Sequence, residues 1–165
     1  MTSHGELQGK QVQPRALADL AYKAGMMDAN NLSLIVMICL AESQGYDHAF
    51  NDNFDNNGNT ISRDCGLWQI NIPADQIGTS VETNLYDTSK NAAAMFAKFK
   101  SQGFKAWVAY NSGVCYHDTY LQRGCNGVFN YLAERRVNEA KQAGTYQATP
   151  IPIFTIKQLP YVTAK

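Results

Sequence analysis

Two carboxylic acids in unlike surroundings are the residues of this chain best suited to acid–base chemistry. Glu42 follows the most apolar run of the sequence, Leu34 to Ala41. Asp64 stands beyond a polar, Asn-rich insert, directly ahead of Cys65-Gly66-Leu67-Trp68-Gln69-Ile70-Asn71. The stretch from Leu32 to Ser43 is apolar nearly all round, which marks a helix that lies in a core. Glu42 therefore falls at the C-terminal end of a buried helix, where burial and the negative end of the helix dipole both disfavour the carboxylate. Both push its pKa up, and a carboxylic acid that keeps its proton near neutral pH is what a general acid requires. An exposed, helix-terminal Glu would fit the same pattern. The two acids are read as flanking a cleft.

The remaining elements must hold that pair. Pro14 suits a first helical turn, and Ala16, Leu17, Leu20, Ala21 and Ala24 recur at helical spacing up to the stop at Gly25, predicting a helix over 14–25. Asn30 or Asn31 can cap the next helix, Leu32 to Ser43. Asn57-Gly58 predicts the tight turn of a hairpin. Leu67 to Ile72 reads as a short strand ended by Pro73. On such a strand Gln69 and Asn71 alternate with Trp68 and Ile70, so one face offers amides to a ligand while the other packs; satisfied turn polar groups are the plainer reading of both amides. Residues 74–87 read as loop. Thr88 or Ser89 can cap a helix to about Gln102, closed by Gly103. Phe104 to Gly113 reads as a short aromatic helix and its turn, in which Trp107 and Tyr110 either pack in the core or present flat faces to sugar rings. Asn126 can cap a last helix to about Gly144. The sum is an α+β domain, predominantly helical, over residues 14–144. Residues 1–13 read as a flexible lead-in. Residues 145–165, with three of the five prolines, read as an extended tail.

The insert admits a second reading. Asn53 to Asp64 follows the twelve-residue calcium-loop template, with Asn53, Asp55 and Asn57 at the oxygen-ligand positions, Gly58 at the sixth and Asp64 at the twelfth. Its first position is Asn and its last is Asp in place of Glu, so such a loop would be charge-poor and weak.

Bulk composition excludes several classes. The 165 residues are 45% apolar and 17% charged, a globular balance for one domain. Fourteen basic and fourteen acidic side chains cancel and form no basic stripe, which argues against nucleic acid as a partner. The longest apolar run, eight residues, is far short of a membrane span. The N-terminus lacks the basic and apolar regions of a signal peptide. Cysteines at 39, 65, 115 and 125 allow three pairings if all are bridged and show no zinc-type spacing. Cys39 on an apolar helix face reads as a buried thiol, and the question of disulfides stays open.

Three motifs in order resemble the lysozyme-like superfamily, which includes animal lysozymes and the soluble lytic transglycosylase type of domain found in phages and bacteria. They are Ala41-Glu42-Ser43 at a helix end, Gly66-Leu67-Trp68-Gln69-Ile70-Asn71, and Ala106-Trp107-Val108-Ala109-Tyr110-Asn111-Ser112-Gly113. The match covers about residues 30–115. The resemblance implies a helical lobe and a small β-hairpin lobe with a cleft between them. It implies cleavage of the β-1,4 bond after N-acetylmuramic acid in peptidoglycan, without a cofactor, at the bacterial cell wall. It places Glu42 on the catalytic acid and Asp64 near the second carboxylate of the animal pattern, with Cys65 between Asp64 and Gly66. It makes Trp68, Gln69, Asn71, Trp107, Tyr110 and Asn111 candidate substrate contacts. Cys39 and Cys115 lie near positions that pair in the animal proteins, although the four cysteines do not reproduce that framework. The division of work between a protonated and an ionised carboxylate is lysozyme's own known pattern, not a deduction from this chain. A non-catalytic wall-binding module, or a part of a larger virion or secretion assembly, would keep the cleft without the chemistry.

Overall fold

The fold is built on one helix that carries its apolar side chains all the way round. The computed structural model describes residues 3–146. In it, α2 (Ala29–Ser43) packs against α1 (Pro14–Ala24), α5 (Val108–Asn111) and α6 (Asp118–Gln142), α4 (Thr88–Gln102) lies on α1, and the short α3 (Ser80–Leu85) lies on the β side. Every residue from Leu32 to Leu40 is buried. Full burial of each such aliphatic side chain stabilises by about 1.5–3 kcal/mol relative to exposure, so α2 is the anchor of the helical lobe. It begins one turn earlier than its apolar pattern suggests. Asp28 is the cap, its Oδ2 accepting from the Asn31 N–H at 3.0 Å.

The β lobe is a four-stranded antiparallel meander in the order β1 (Ser3–Glu6), β2 (Phe50–Phe54), β3 (Thr60–Cys65) and β4 (Ile70–Pro73). Its register sets Gly5, Asn51, Asp64 and Asn71 side by side across the sheet. The hairpin between β2 and β3 turns at Asn57-Gly58, as those residues predict. Asp55 Oδ1 accepts from the N–H groups of Asn57 and Asn59 at 2.8 and 2.9 Å. The calcium-loop reading is therefore corrected. Asp55 is engaged as the acceptor of a turn, Asn53 lies on β2 with its Nδ2 donating to Asp64, and Asp64 sits at the far end of β3 from the tip.

Other expectations also need correction. Residues 1–13 are not a loose lead-in where they are described: Ser3–Glu6 is the edge strand, and residues 8–12 are laced to 44–48. The His48 N–H donates to the Gln8 carbonyl, the Asp47 N–H to Lys10 and the Val12 N–H to Gly45. Residues 80–85, read as loop, form α3 behind a Thr79 cap. The last helix starts at Asp118, ahead of Asn126. Gly124 and Gly127 disguise it in the sequence, yet at Gly127 a Cβ would meet the Pro14 Cβ at 2.5 Å, so glycine lets α1 lie directly on α6. The expected tail falls mostly outside the described residues. Cys39 and Cys65 are buried free thiols, pushed up to about 12 by burial, and Cys115 and Cys125 are buried as well. Cys39 thus does not make the animal-type bridge.

Two polar clusters join the lobes. Arg63 clasps Asp52 with Nε and Nη2 at 2.6 and 2.8 Å and reaches Glu82 of α3 with Nη1 at 2.8 Å. Fully buried Asn91 of α4 donates from Nδ2 to the carbonyls of Cys65 and Leu85, and its Oδ1 accepts from the Trp68 N–H at 3.0 Å. Gly66, at φ 73°, is the residue that admits this contact: a Cβ there would lie 2.4 Å from both Asn91 Nδ2 and the Leu85 carbonyl oxygen. Asn91→Ala leaves those three backbone groups buried without partners and is expected to cost about 2–4 kcal/mol in urea unfolding. A loss under 0.5 kcal/mol would contradict the role given to this side chain.

Candidate active site

Glu42 is the penultimate residue of α2, and three contacts fix its surroundings. Ser43, fully buried, donates from Oγ to the Leu67 carbonyl at 2.7 Å and accepts from the Gly45 N–H at 3.2 Å. Cys39 Sγ, one turn back, meets the same Leu67 carbonyl at 3.2 Å. These bonds pin the 66–69 turn against the end of α2. The Glu42 carboxylate then accepts at Oε1 from the Ala109 N–H at 3.0 Å. Ala109 lies in the first turn of α5, where helical N–H groups lack partners inside the helix.

Glu42 opens into a cleft of about 490 Å³ between the lobes, lined also by Asp64, Gln44, Asn51 and Gln69, with Gly5, Glu6 and Leu7 on one side and Val108 on the other. Asp64 presents its carboxylate there. Oδ1 accepts from Asn71 Nδ2 of β4 at 2.9 Å and Oδ2 from Asn53 Nδ2 of β2 at 3.0 Å, so an amide from each flanking strand holds the carboxylate in place. Burial pushes the Glu42 carboxyl above its ordinary value. The Ala109 N–H pulls it back, the Asp64 charge pushes it up further, and Lys98 pulls it down. Upward pressure wins. Two carboxylates thus share one cleft, one in a place that favours its proton and one amid amide donors.

The other expected contacts are placed differently. Trp68 is 0% exposed, with its indole N–H donating to the Ile35 carbonyl at 2.9 Å. Trp107 is 2% exposed, with its indole N–H donating to the Trp68 carbonyl at 2.8 Å. Neither offers a face to a ligand, which corrects that expectation for both. Tyr110 packs between Phe104 and Tyr116. Asn111 donates to the Lys105 carbonyl, outside the cleft. The strand expected over 67–72 starts at Ile70, because Gln69 takes a left-handed backbone at φ 48° to close a turn. Gln69 lines the cleft, but its Nε2 is engaged by the carbonyls of Ala49 and Gly66 at 3.1 and 2.8 Å. Asn71 acts on the site through Asp64.

Sequence reasoning missed three contributors. Asn91 holds the turn that carries the site. Lys98, two turns further along α4, rests its ammonium 4.9 Å from the Trp107 ring centre, and it is half-buried within reach of the charges on Asp64 and Glu42. The spacing of seven between Asn91 and Lys98 puts both on one helix face, a signal the sequence contained. The edge strand β1 gave no such signal.

A cleft between a helical and a small β lobe, with a partly desolvated Glu at the end of the central helix, defines a lysozyme-type domain. A family model described as "Lysozyme like domain" matches residues 18–109, more than half of the chain, and the chain belongs to that family. Comparison with curated proteins and with solved structures found no match. Among the described residues no helix is long and apolar enough to cross a membrane.

The raised Glu42 carboxyl has a consequence for stability. A carboxyl favoured in its protonated form when folded holds that advantage at low pH and loses it as pH rises through the folded-state value. Glu42→Gln, uncharged at every pH, is therefore expected to melt higher than the parent at pH 7, with the difference shrinking towards pH 4. Calorimetric melting of both proteins across that range checks the sign. An equal difference at all pH values would contradict the raised carboxyl.

Proposed function

We propose that the cleft takes a peptidoglycan glycan strand and that Glu42 protonates the glycosidic oxygen leaving the N-acetylmuramic acid unit. The observation that carries this reading is the Glu42 carboxyl itself, pushed towards its protonated form by burial while opening into a cleft that also holds Asp64. A general acid works best when its pKa nears the working pH, and burial supplies that shift. The Asp64 carboxylate, held by the amides of Asn53 and Asn71, stabilises the positive charge that develops on the ring as the bond breaks. Deprotonated Glu42 then serves as base. It takes a proton either from water, giving hydrolysis, or from the muramyl 6-hydroxyl, giving an anhydro end. The amides of Gln44 and Asn51 on the lining suit N-acetyl groups. Lysozyme-like family membership supports the substrate class.

Removing a general acid typically costs about 10²–10⁴ in rate. Glu42→Gln is expected to lose at least that much lysis of isolated cell walls while keeping a cooperative fold. Unchanged lysis would end the enzyme reading and favour a glycan-binding module. Asp64→Asn is expected to lose about 10²-fold or more if its charge stabilises the transition state, measured as release of soluble muropeptides. Their masses also separate the two acceptors, since anhydro ends weigh one water less.

A further inference from the structure

One wall of the cleft comes from residues that the family match does not include. Gly5, Glu6 and Leu7 line the cleft, whereas the match begins at residue 18. The wall is held firmly. Gly5 pairs with Asn51, and a Cβ at Gly5 would meet Asn51 Oδ1 at 2.9 Å and the Phe50 carbonyl oxygen at 3.2 Å. On the other side of Leu7, the chain is stitched down from Gln8 to Val12 by bonds to His48, Asp47 and Gly45. Leu7 is thus fixed in place while remaining 46% exposed. The helical lobe contributes a matching feature, Val108, which lines the same cleft and is 75% exposed. Two of the seven large apolar side chains exposed among the described residues therefore line one cleft, one from each lobe. Pockets that orient polar ligands commonly pair such apolar contacts with a few amides and charges.

Sugar rings carry apolar surface on their C–H faces and on the methyl of an N-acetyl group. Glu6, which accepts a hydrogen bond from Gln8, sets a carboxylate on the same wall. Resting on the reading of the cleft as a glycan site, we infer that Leu7, with Val108 of the other lobe, contacts the apolar surface of an N-acetylated sugar unit, making residues 5–7 a substrate-binding wall for the reaction.

The test uses the Glu42→Gln protein, which binds without turnover, and chitotetraose, a neutral N-acetylglucosamine oligomer. Leu7→Ser in that background is expected to weaken chitotetraose binding about 3- to 10-fold by calorimetry. In the active protein the same change should raise KM for glycan strands by a similar factor with kcat and Tm unchanged, and Leu7→Met should restore both values. Unchanged binding and KM in Leu7→Ser, with chitotetraose still bound by the Glu42→Gln parent, overturns this inference alone. A fall in kcat together with Tm overturns it as well, by marking Leu7 as structural. If the Glu42→Gln parent binds no chitotetraose and the active protein releases no product from cell walls, both readings fall.

Discussion

The arrangement depends on a hydrogen-bond relay through two buried indoles. Trp68 donates to the Ile35 carbonyl in α2, and Trp107 donates to the Trp68 carbonyl. Each indole fills the core and leaves no buried N–H unsatisfied, which is the condition for placing tryptophan inside a protein. The relay ties the central helix, the 66–69 turn and the approach to α5 into one unit. Ser43 closes the unit from the other side by bonding Leu67, and Ala109 closes it at Glu42. The three short motifs of the sequence are therefore one object in space. Their spacing along the chain is set by the need to bring three backbone carbonyls within reach of three side chains, and the Glu42 carboxylate within reach of one N–H.

This explains why the acid is held as it is. A carboxyl at the end of a helix would ordinarily turn to water. Here the turn carrying Leu67 and Trp68 and the start of α5 close around it. Burial and the ionised neighbour push it towards the protonated form, and one backbone N–H and a lysine moderate the effect. The site's electrostatics thus follow from packing at Asn91 and Gly66, which hold the 66–69 turn in place.

The sequence carried much of this and concealed some of it. The continuous apolar run made α2 and the placement of Glu42 readable, since no other element tolerates apolar residues on every side. The Asn57-Gly58 turn and the acid before Gly66 were readable for local reasons. The tryptophans were misleading: an aromatic residue near an acid looks the same in sequence whether it stacks on a ligand or braces the core, and only the partner of its N–H separates the two. Gln69 was misread because period-two alternation assumes a strand, and a single left-handed residue breaks it. Strand β1 was hidden because an edge strand of Ser, His, Gly and Glu offers no apolar residue for a period-two pattern to show.

The pairing of β2 with β3 shifts register between Asn53 and Phe54. Below that irregularity, strand alternation ties Asp64 to Asn51 and Asn71, and slipping the chain by one residue would turn the acid to the opposite face. Above it lies the tip around Gly58, where an added Cβ would meet no atom within 4 Å among the described residues. The outer end of this hairpin is thus free to grow, shrink or accept a grafted peptide, with the geometry at the reacting bond left alone.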